Sequence, residues 1–417
     1  MPETIRAAIL SLGTEITNGI INDTHGRFLS AELSAMGIRV ERICQMRDDP
    51  ENIPVVRELV GNHELVIITG GLGPTSDDMT REAIAEAAGV PLRFDEELWG
   101  LLTGRYRLSV AEANRKQAFV PEGFHVVPNP LGSAPGLWGH IEGCLLCALP
   151  GPPRELEPMF VQSIREVIAE QLHLSIPEEI EASSFLIPEA MLEDACQRSA
   201  DGVVSWRTRF QPYRISLYIG GGEREQQESF LRSLQEHFGY GLIQPGNIEP
   251  ARIVFEALRE KGWRLTTAES CTGGLIGSLL TEIPGVSSYF WGGFVTYDNQ
   301  AKERELGVKR TTLEHYGAVS EETALEMAVG ALQRSETDIA VAVTGVAGPE
   351  GGTAEKPVGI VWIAVACSDG QKMAWRFDFG NRRNAVRRRT AVAALLLVDL
   401  MAREPNRLDM VKHWHYS

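Results

Sequence analysis

The stretch TTAESCTGG, from Thr266 to Gly274, decides how the second half of the chain is organised. The segment before it, WRLTTAE, is typical of a strand, and the segment after it, TGGLIGSLLTEI, is typical of a helix. Ser270 and Thr272 therefore stand where a strand ends and a helix begins. Hydroxyl side chains at such a position serve as helix caps or as nucleophiles, and the stretch alone leaves both interpretations open.

Two α/β patterns flank a shorter middle block. In the first third, AAILSLG and ELVIITGG are buried-strand runs that alternate with helical segments such as DTHGRFLSAELSAMG, which predicts a parallel sheet covered on both faces. A second α/β pattern begins at Ala251, after the Gly- and Pro-rich GYGLIQPGNIEP. The predicted domains are residues 1–172, a small α+β domain over 173–247, and 248–417.

The composition is that of a globular protein with more than one domain. With 417 residues the chain is too long for one ordinary core, and its net charge of −16 opposes a general affinity for nucleic-acid phosphates. No apolar run reaches the length that crosses a bilayer, and MPETIRAAILSLGTE lacks the plan of a signal peptide. We therefore expect a cytoplasmic protein with no membrane partner.

The six cysteines are scattered, as expected of reduced thiols. Cys144 and Cys147 form a C-x-x-C pair inside the apolar run CLLCALP, and no second pair follows. A structural role is therefore favoured over zinc binding.

The loop TGGLGPTSDDMT, Thr69 to Thr80, follows a buried strand. In open parallel sheets this edge binds ligands, and its glycines let backbone N–H groups approach a phosphate. Asp77 and Asp78 would repel each other, so a divalent metal between them is one interpretation. The other is a tight turn in which one of the pair caps the next helix, Asp77 being the better candidate.

Four loops together resemble the N-terminal domain of the CinA family, which has a molybdopterin-binding-like fold: GTE, GGLGPTSDDMT, NPLGSAPG and LPGPPRE. The resemblance implies a three-layer α/β/α domain that hydrolyses ADP-ribose. It implies a divalent ion (Mg, Mn or Co) on Asp77 and Asp78. The implied substrate-binding residues are Glu15, Gly70, Gly71, Gly73, Thr75, Ser133, Pro150 and Gly151.

A serine nucleophile needs a base, and the usual histidine is not evident near Ser270. Lys302 could serve if burial lowers its pKa, and the phenol of Tyr297, five residues earlier, could relay or orient a proton. Cys271 is the rival nucleophile, because helix N-termini favour thiolates.

The segments AESCTGGLIGSLLTEIPGVSSYFWGGFVTYDNQAK and AVTGVAGPEGGTAEKPVG resemble the PncC-type nicotinamide-nucleotide amidohydrolase domain, which occurs alone or fused in the CinA family. The resemblance implies an α/β hydrolase without a cofactor, whose Ser–Tyr–Lys residues map to Ser270, Tyr297 and Lys302. It leaves a capping role to Thr272. The implied substrate-binding residues are Glu269, Thr272, Gly273, Thr344, Gly345, Gly348, Arg382 and Arg387.

These observations predict a bifunctional pyridine-nucleotide salvage hydrolase that acts on nicotinamide mononucleotide (NMN) and ADP-ribose, forms a homodimer and binds no nucleic acid. One alternative is a competence- or DNA-damage-associated nucleic-acid-binding protein, which the arginine cluster NRRNAVRRR favours. Another is that the N-terminal domain only senses a nucleotide.

Overall fold

A computed structural model describes residues 5–49, 52–106, 112–174, 178–211, 213–239, 241–380 and 382–414. The chain divides into two compact units, Met1–Pro177 and Glu178–Ser417. The middle block therefore belongs to the same unit as the C-terminal segment. The limits of the three predicted domains stay a prediction. Within the described ranges, no helix has both the length and the apolar character needed to span a membrane.

The first unit alternates strands and helices. Its strands are β1 (Arg6–Leu12), β2 (Arg39–Met46), β3 (Leu65–Thr69), β4 (Leu92–Phe94), β5 (Phe119–Pro121), β6 (His125–Val127), β7 (Gly136–Ile141) and β8 (Cys144–Leu149). Its α-helices are α1 (Thr14–Thr17), α2 (His25–Ala35), α3 (Asn52–Asn62), α4 (Thr80–Ala88), α5 (Glu96–Tyr106), α6 (Pro153–Met159) and α7 (Arg165–Gln171). A 3-10 helix covers Glu112–Ala118, and a π-helical segment, Phe160–Ile164, joins α6 to α7.

Six strands form the main sheet of this unit, in the order β2-β1-β3-β8-β7-β6. The first four are parallel, as predicted, whereas β7 and β6 run antiparallel at one end and were not predicted. Every residue of β3 and β8 is buried, because helices cover both faces of the sheet.

Alternate residues of β1 enter two separate cores. Ala7 and Ile9 pack with α2, α6 and α7, whereas Ala8 and Leu10 pack with α3 and α4. This alternation is the side-chain period of a strand, and it produces three layers, α/β/α. The predicted fold class is thereby confirmed for the first unit.

The second unit contains nine strands and eight α-helices among its described residues. The strands are β9 (Ile180–Ser184), β10 (Ser205–Phe210), β11 (Ile215–Gly220), β12 (Ile243–Pro245), β13 (Leu265–Glu269), β14 (Phe290–Val295), β15 (Ile339–Gly345), β16 (Ile360–Cys367) and β17 (Lys372–Asp378). The helices are α8 (Glu189–Ser199), α9 (Arg224–Phe238), α10 (Pro250–Lys261), α11 (Leu275–Thr281), α12 (Asn299–Leu306), α13 (Arg310–Tyr316), α14 (Glu321–Ser335) and α15 (Arg383–Arg403). 3-10 helices cover Val286–Ser288 and Pro405–His413.

These strands form a four-stranded antiparallel sheet, β10-β11-β9-β12, and a five-stranded sheet, β14-β13-β15-β16-β17. In the larger sheet β13 is parallel to both neighbours, whereas β16 is antiparallel to both of its neighbours, β15 and β17. The carboxyl ends of β13, β14 and β15 therefore meet at one edge, which is where Ser270 follows β13.

The two sheets of this unit share one apolar core. Leu217 of β11 and Leu234 of α9 belong to the same buried cluster as Leu258 of α10 and Leu396 of α15. A separate core lies on the opposite face of the larger sheet, where Met327 of α14 packs with alanines of β15 and β16.

Helix α14 approaches α12 so closely that only glycine fits at position 330. A Cβ added to Gly330 would lie 1.8 Å from the carbonyl oxygen of Leu306. We expect Gly330→Ala to lower the free energy of unfolding by about 1–3 kcal/mol, because the backbone of α12 must move. Denaturant unfolding of the purified protein measures this change.

Gly277→Ala is the matched control in the same unit, because its added methyl would meet Phe290 at an ordinary 3.5 Å. There we expect a neutral or stabilising effect of up to about 1 kcal/mol, from the better helix propensity of alanine. If the two substitutions changed the free energy of unfolding equally, the close approach of α14 to α12 would not be rigid.

Candidate active sites

Ser270 and Lys302 meet at the carboxyl edge of the larger sheet. Ser270 directly follows the central strand β13, is 8% exposed, and donates its backbone N–H to Val343 O at 3.1 Å. Lys302 lies on α12, which follows the neighbouring strand β14, and is 1% exposed. The Nζ–Oγ distance is 3.2 Å, so the predicted nucleophile and base are within hydrogen-bond reach.

The surroundings of the Lys302 amine fit its neutral form. Nζ donates to the carbonyl oxygens of Thr296 at 2.9 Å and Tyr297 at 3.2 Å. A neutral amine has two N–H groups and one lone pair. If the carbonyls take the two N–H groups, the lone pair is left for the hydroxyl proton of Ser270. Burial lowers the pKa of Lys302, against the opposing effects of Asp298 and Cys271.

Tyr297 joins this arrangement through its backbone. Its carbonyl accepts a hydrogen bond from Lys302, whereas its side chain is 61% exposed and its hydroxyl accepts from Arg383 Nη2 at 3.4 Å. The structure therefore does not bring the phenol between Ser270 and Lys302, and its role in proton transfer stays a prediction.

Cys271 is poorly suited to be the nucleophile. Its side chain is 5% exposed, and burial raises the pKa of the thiol to about 12. The thiolate is the reactive form, so this environment suppresses reactivity. Of the two rival residues, the structure favours Ser270.

Glu269, and not Thr272, caps helix α11. The carboxylate of Glu269 is buried and accepts from the backbone N–H groups of Ile276 at 3.1 Å and Gly277 at 2.9 Å. A carboxylate at a helix N-terminus is favoured by the helix dipole. The hydroxyl of Thr272 has no hydrogen-bond partner among the described residues, so the capping role expected of Thr272 is wrong.

The turn after Ser270 offers backbone donors. Gly273 and Gly274 both have positive φ, 62° and 91°. Among the described residues, the backbone N–H groups of Thr272 and Gly274 have no acceptor. They are therefore candidate donors to an oxyanion formed at Ser270.

Two arginines of α15 hold the loops around Ser270. Arg387 donates from Nε and Nη2 to Thr272 O, at 3.2 and 2.8 Å. Arg383 donates to Gly348 O at 2.8 Å as well as to the hydroxyl of Tyr297. Arg382, which was predicted to bind substrate, is the exposed N-cap residue of α15, and no contact of its side chain is seen within the described part of the chain.

The remaining predicted substrate residues of this unit lie at the end of β15 and in the loop after it. The Thr344 hydroxyl donates to Ala318 O at 2.7 Å, which ties this strand end to the start of α14. A Cβ at Gly345 would meet Val361 at 2.7 Å, and one at Gly348 would meet Val358 at 2.4 Å. These glycines permit close packing of the loop, and their contact with substrate stays a prediction.

In the first unit, nearly all predicted residues line one cavity of about 320 Å³, called here the acidic cavity. The predicted residues in its wall are Glu15, Gly70, Gly71, Gly73, Asp77, Asp78, Ser133, Pro150 and Gly151. Thr75 contacts this group from the loop, because its N–H and hydroxyl donate to Asp78 Oδ2 at 2.8 and 2.5 Å.

Asp48 is a further carboxylate in the acidic cavity, and the sequence did not single it out. Burial raises its pKa to about 6, and the charges of Asp78, Asp77 and Glu15 act in the same direction, while a hydrogen bond from Met79 N–H opposes them. Together with Glu155, five carboxylates thus line this small cavity. Gly71 permits this crowding, since a Cβ there would lie 2.7 Å from Asp48.

Neither acidic residue of the loop caps the next helix. Helix α4 begins at Thr80 with Met79 as the N-cap, and the side chain of Met79 makes no cap hydrogen bond. The expectation that Asp77 is a cap is therefore wrong. Asp77 is instead exposed, and the nearby side chain of Thr75 is the main cause that lowers its pKa.

Carboxylate oxygens are the donors that hard divalent cations prefer, and a cation would offset both the burial and the like-charge repulsion that raise the pKa of Asp48. The chemistry of the donor set therefore fits the predicted metal. Among the described residues, however, no three His, Cys, Asp or Glu side chains are already arranged to hold an ion.

Comparison with known proteins gives matches to both units. The model of the CinA C-terminal domain matches residues 248–401, and that of the probable molybdopterin binding domain matches residues 8–170. A CinA-like protein of Thermotoga neapolitana is 38% identical over 402 residues, which cover 94% of this chain and 96% of that protein. The chain belongs to the CinA family.

A further relative and a solved structure are also similar to this chain. A putative competence-damage inducible protein of Clostridium perfringens is 35% identical over 97% of this chain and 100% of its own length. The crystal structure of the competence/damage inducible protein CihA from Agrobacterium tumefaciens is 48% identical and covers 36% of this chain and 90% of its own, with a TM-score of 0.35. The family resemblance drawn from the motifs is thus confirmed, whereas these names refer to competence and damage and state no reaction.

Two residues of this CinA chain that were not predicted as site residues, Arg383 and Asp48, have a signal in the sequence. Arg383 and Arg387 are four apart and share a face of α15, which favours them as a pair over Arg382. Asp48 follows β2, next to β1 in the sheet, and so stands at the same edge as Glu15.

Proposed function

We propose that the C-terminal site is a serine amidohydrolase that converts NMN to nicotinate mononucleotide and ammonia. The observation that carries this proposal is the buried contact of Lys302 Nζ with Ser270 Oγ at 3.2 Å. The substrate assignment rests on the motif resemblance and on membership of the CinA family. Incubation of the purified protein with NMN, followed by measurement of both products, tests it.

The geometry suits a two-step acyl transfer. Neutral Lys302 accepts the hydroxyl proton as Ser270 Oγ attacks the carboxamide carbon, and backbone N–H groups of the turn stabilise the oxyanion. The C–N bond then breaks, the proton on Lys302 passes to the departing nitrogen, and ammonia leaves an ester on Ser270. Water, deprotonated by Lys302, attacks the ester, and the regenerated serine recovers its proton as nicotinate mononucleotide leaves.

Lys302 should be required as a neutral amine. Because its pKa lies below 10.5, the neutral fraction at a given pH exceeds that of a free lysine, and activity should rise with pH through this lowered pKa. Lys302→Arg keeps the charge but cannot lose a proton, so it should lose about as much kcat as Lys302→Ala. The pH dependence of kcat for NMN deamidation is the measurement.

Lys309→Arg is the matched control, since Lys309 is an exposed residue beyond α12 that pairs with Glu326. It should keep the wild-type rate and pH profile. Near-normal turnover by Lys302→Arg would remove Lys302 from the role of base.

For the first unit, the proposed activity is hydrolysis of ADP-ribose at its pyrophosphate bond, and the acidic cavity is the feature that supports this proposal. Asp77 and Asp78, joined by Asp48, are the residues that would hold a divalent ion. Such an ion would supply charge compensation for the phosphates. The glycine-rich loop that lines the cavity brings backbone close to a bound phosphate. Release of AMP from ADP-ribose with Mg²⁺, Mn²⁺ or Co²⁺, abolished by a chelator, tests this activity.

The alternative of nucleic-acid binding rests on the arginine cluster of α15. The cluster is largely engaged inside the unit: besides Arg383 and Arg387, Arg388 lies over the ring of Tyr213 at 5.8 Å and Arg389 donates to Phe379 O at 3.0 Å. Strong retention on heparin at moderate salt, lost in Arg387→Ala and Arg388→Ala, would favour the alternative over the hydrolase.

A further inference from the structure

Arg81 is a buried cation without a hydrogen-bond partner. It is 1% exposed, and within the described part of the chain none of its three guanidinium nitrogens has an acceptor. Burial lowers its pKa to about 10, with Glu82 and Asp78 acting in the opposite direction, so the side chain still carries its charge at neutral pH. A buried charge without a partner is strongly unfavourable.

The position of Arg81 in its helix adds to this cost. Arg81 is the second residue of the nine-residue helix α4. The N-terminus of a helix carries a partial positive charge, which disfavours a cation and favours an anion. Both unfavourable terms would be relieved by one negatively charged group beside the guanidinium.

A cavity of about 490 Å³, called here the arginine cavity, has room for such a group. It is lined by Arg81, Glu82, Leu92, Arg115, Lys116 and Phe119. Three of these side chains are cationic and one is anionic, and the Glu82 carboxylate already pairs with Lys116 at 3.2 Å. The cavity therefore has an excess of positive charge.

Lys116 connects the arginine cavity to the loop of the acidic cavity. Its Nζ donates to the carbonyl oxygens of Asp78 and, at 3.4 Å, of Thr75. The two cavities share none of their lining residues. An anion beside Arg81 would thus occupy a site separate from the carboxylates proposed to hold a metal.

We propose that the arginine cavity binds a phosphate-type oxyanion, with the buried guanidinium of Arg81 as its principal donor. A tetrahedral oxyanion can accept from several guanidinium N–H groups at once, which fits a side chain that has all of its nitrogens unpartnered. This site goes beyond both proposed activities, because neither requires it.

The test is calorimetric titration of the full chain with inorganic phosphate in phosphate-free buffer. We expect saturable binding that weakens at least about tenfold in Arg81→Met, which keeps an unbranched apolar side chain and removes the charged guanidinium. Arg81→Lys should retain affinity better than Arg81→Met. Arg115→Gln, at an exposed position of the cavity wall, should weaken binding several-fold and remains informative if Arg81→Met does not fold.

Arg93→Gln is the control, because Arg93 pairs with Glu122 at 2.6 Å and does not line the arginine cavity. Its affinity for phosphate should equal that of the wild type. Titration with AMP distinguishes the two sources of the oxyanion. If AMP binds more tightly than inorganic phosphate, and Arg81→Met loses this binding, the site takes the phosphate of a nucleotide. If AMP binds more weakly than inorganic phosphate, the site takes the free ion. No binding to the wild type, or equal binding to wild type, Arg81→Met and Arg115→Gln, overturns the proposal.

Discussion

Ser270→Ala should reduce NMN deamidation by roughly four to six orders of magnitude, the loss typical of removing a serine nucleophile. The Ser270 hydroxyl is the group that Lys302 contacts at 3.2 Å, and its removal leaves no oxygen to form the ester. The capping of α11 belongs to Glu269, so the substitution should leave the helix intact. Ammonia release under single-turnover conditions measures the loss.

Cys271→Ala is the matched control one residue away. Its thiol is buried with a raised pKa, and we expect the variant to keep most of its activity. Circular dichroism and thermal unfolding would show that both variants are folded. An inactive Cys271→Ala protein together with an active Ser270→Ala protein would reverse the assignment.

Asp78→Asn should lower ADP-ribose hydrolysis by about two or more orders of magnitude, because it removes a charge from the carboxylates proposed to hold the metal. The amide oxygen can still accept from the N–H and hydroxyl of Thr75, so the loop should keep its conformation. NMN deamidation should be nearly unchanged, since Ser270 and Lys302 belong to the other unit. Rates on both substrates, with and without a chelator, measure the effect.

Asp95→Asn provides the control in the same unit, because Asp95 accepts from Leu98 N–H at the start of α5 and does not line the acidic cavity. Both activities should survive this change. Parallel loss of both activities in a folded Asp78→Asn protein would argue against separate sites and for a regulatory first domain.

The buried parallel strands could be predicted from sequence, whereas several antiparallel strands could not. β3 and β8 are buried along their whole length and therefore appear as unbroken apolar runs. β17 has a single buried residue, Phe377, and β6 is only three residues long. Such segments are specified by their neighbours in the sheet more than by their own pattern.

The contact between the two proposed catalytic residues was predicted better than their surroundings. Ser270 and Lys302 are identified by chemical type and motif, and the structure brings them together. The motif resemblance implies that Glu269 binds substrate, and in the structure its carboxylate accepts from the N–H groups of α11, seven and eight residues later. This contact depends on how the chain folds back, which local sequence does not show.

The contacts of α15 also bear on when the site is completed during synthesis. Ser270 and Lys302 are 32 residues apart in the chain, but Arg387 reaches Thr272 across 115 residues. A ribosome adding residues from the N-terminus supplies the proposed nucleophile and base well before the helix whose arginine holds the adjacent turn. The Arg387 contact therefore forms only after α15 has been made, and a translation product that stops before α15 would carry Ser270 and Lys302 without this contact.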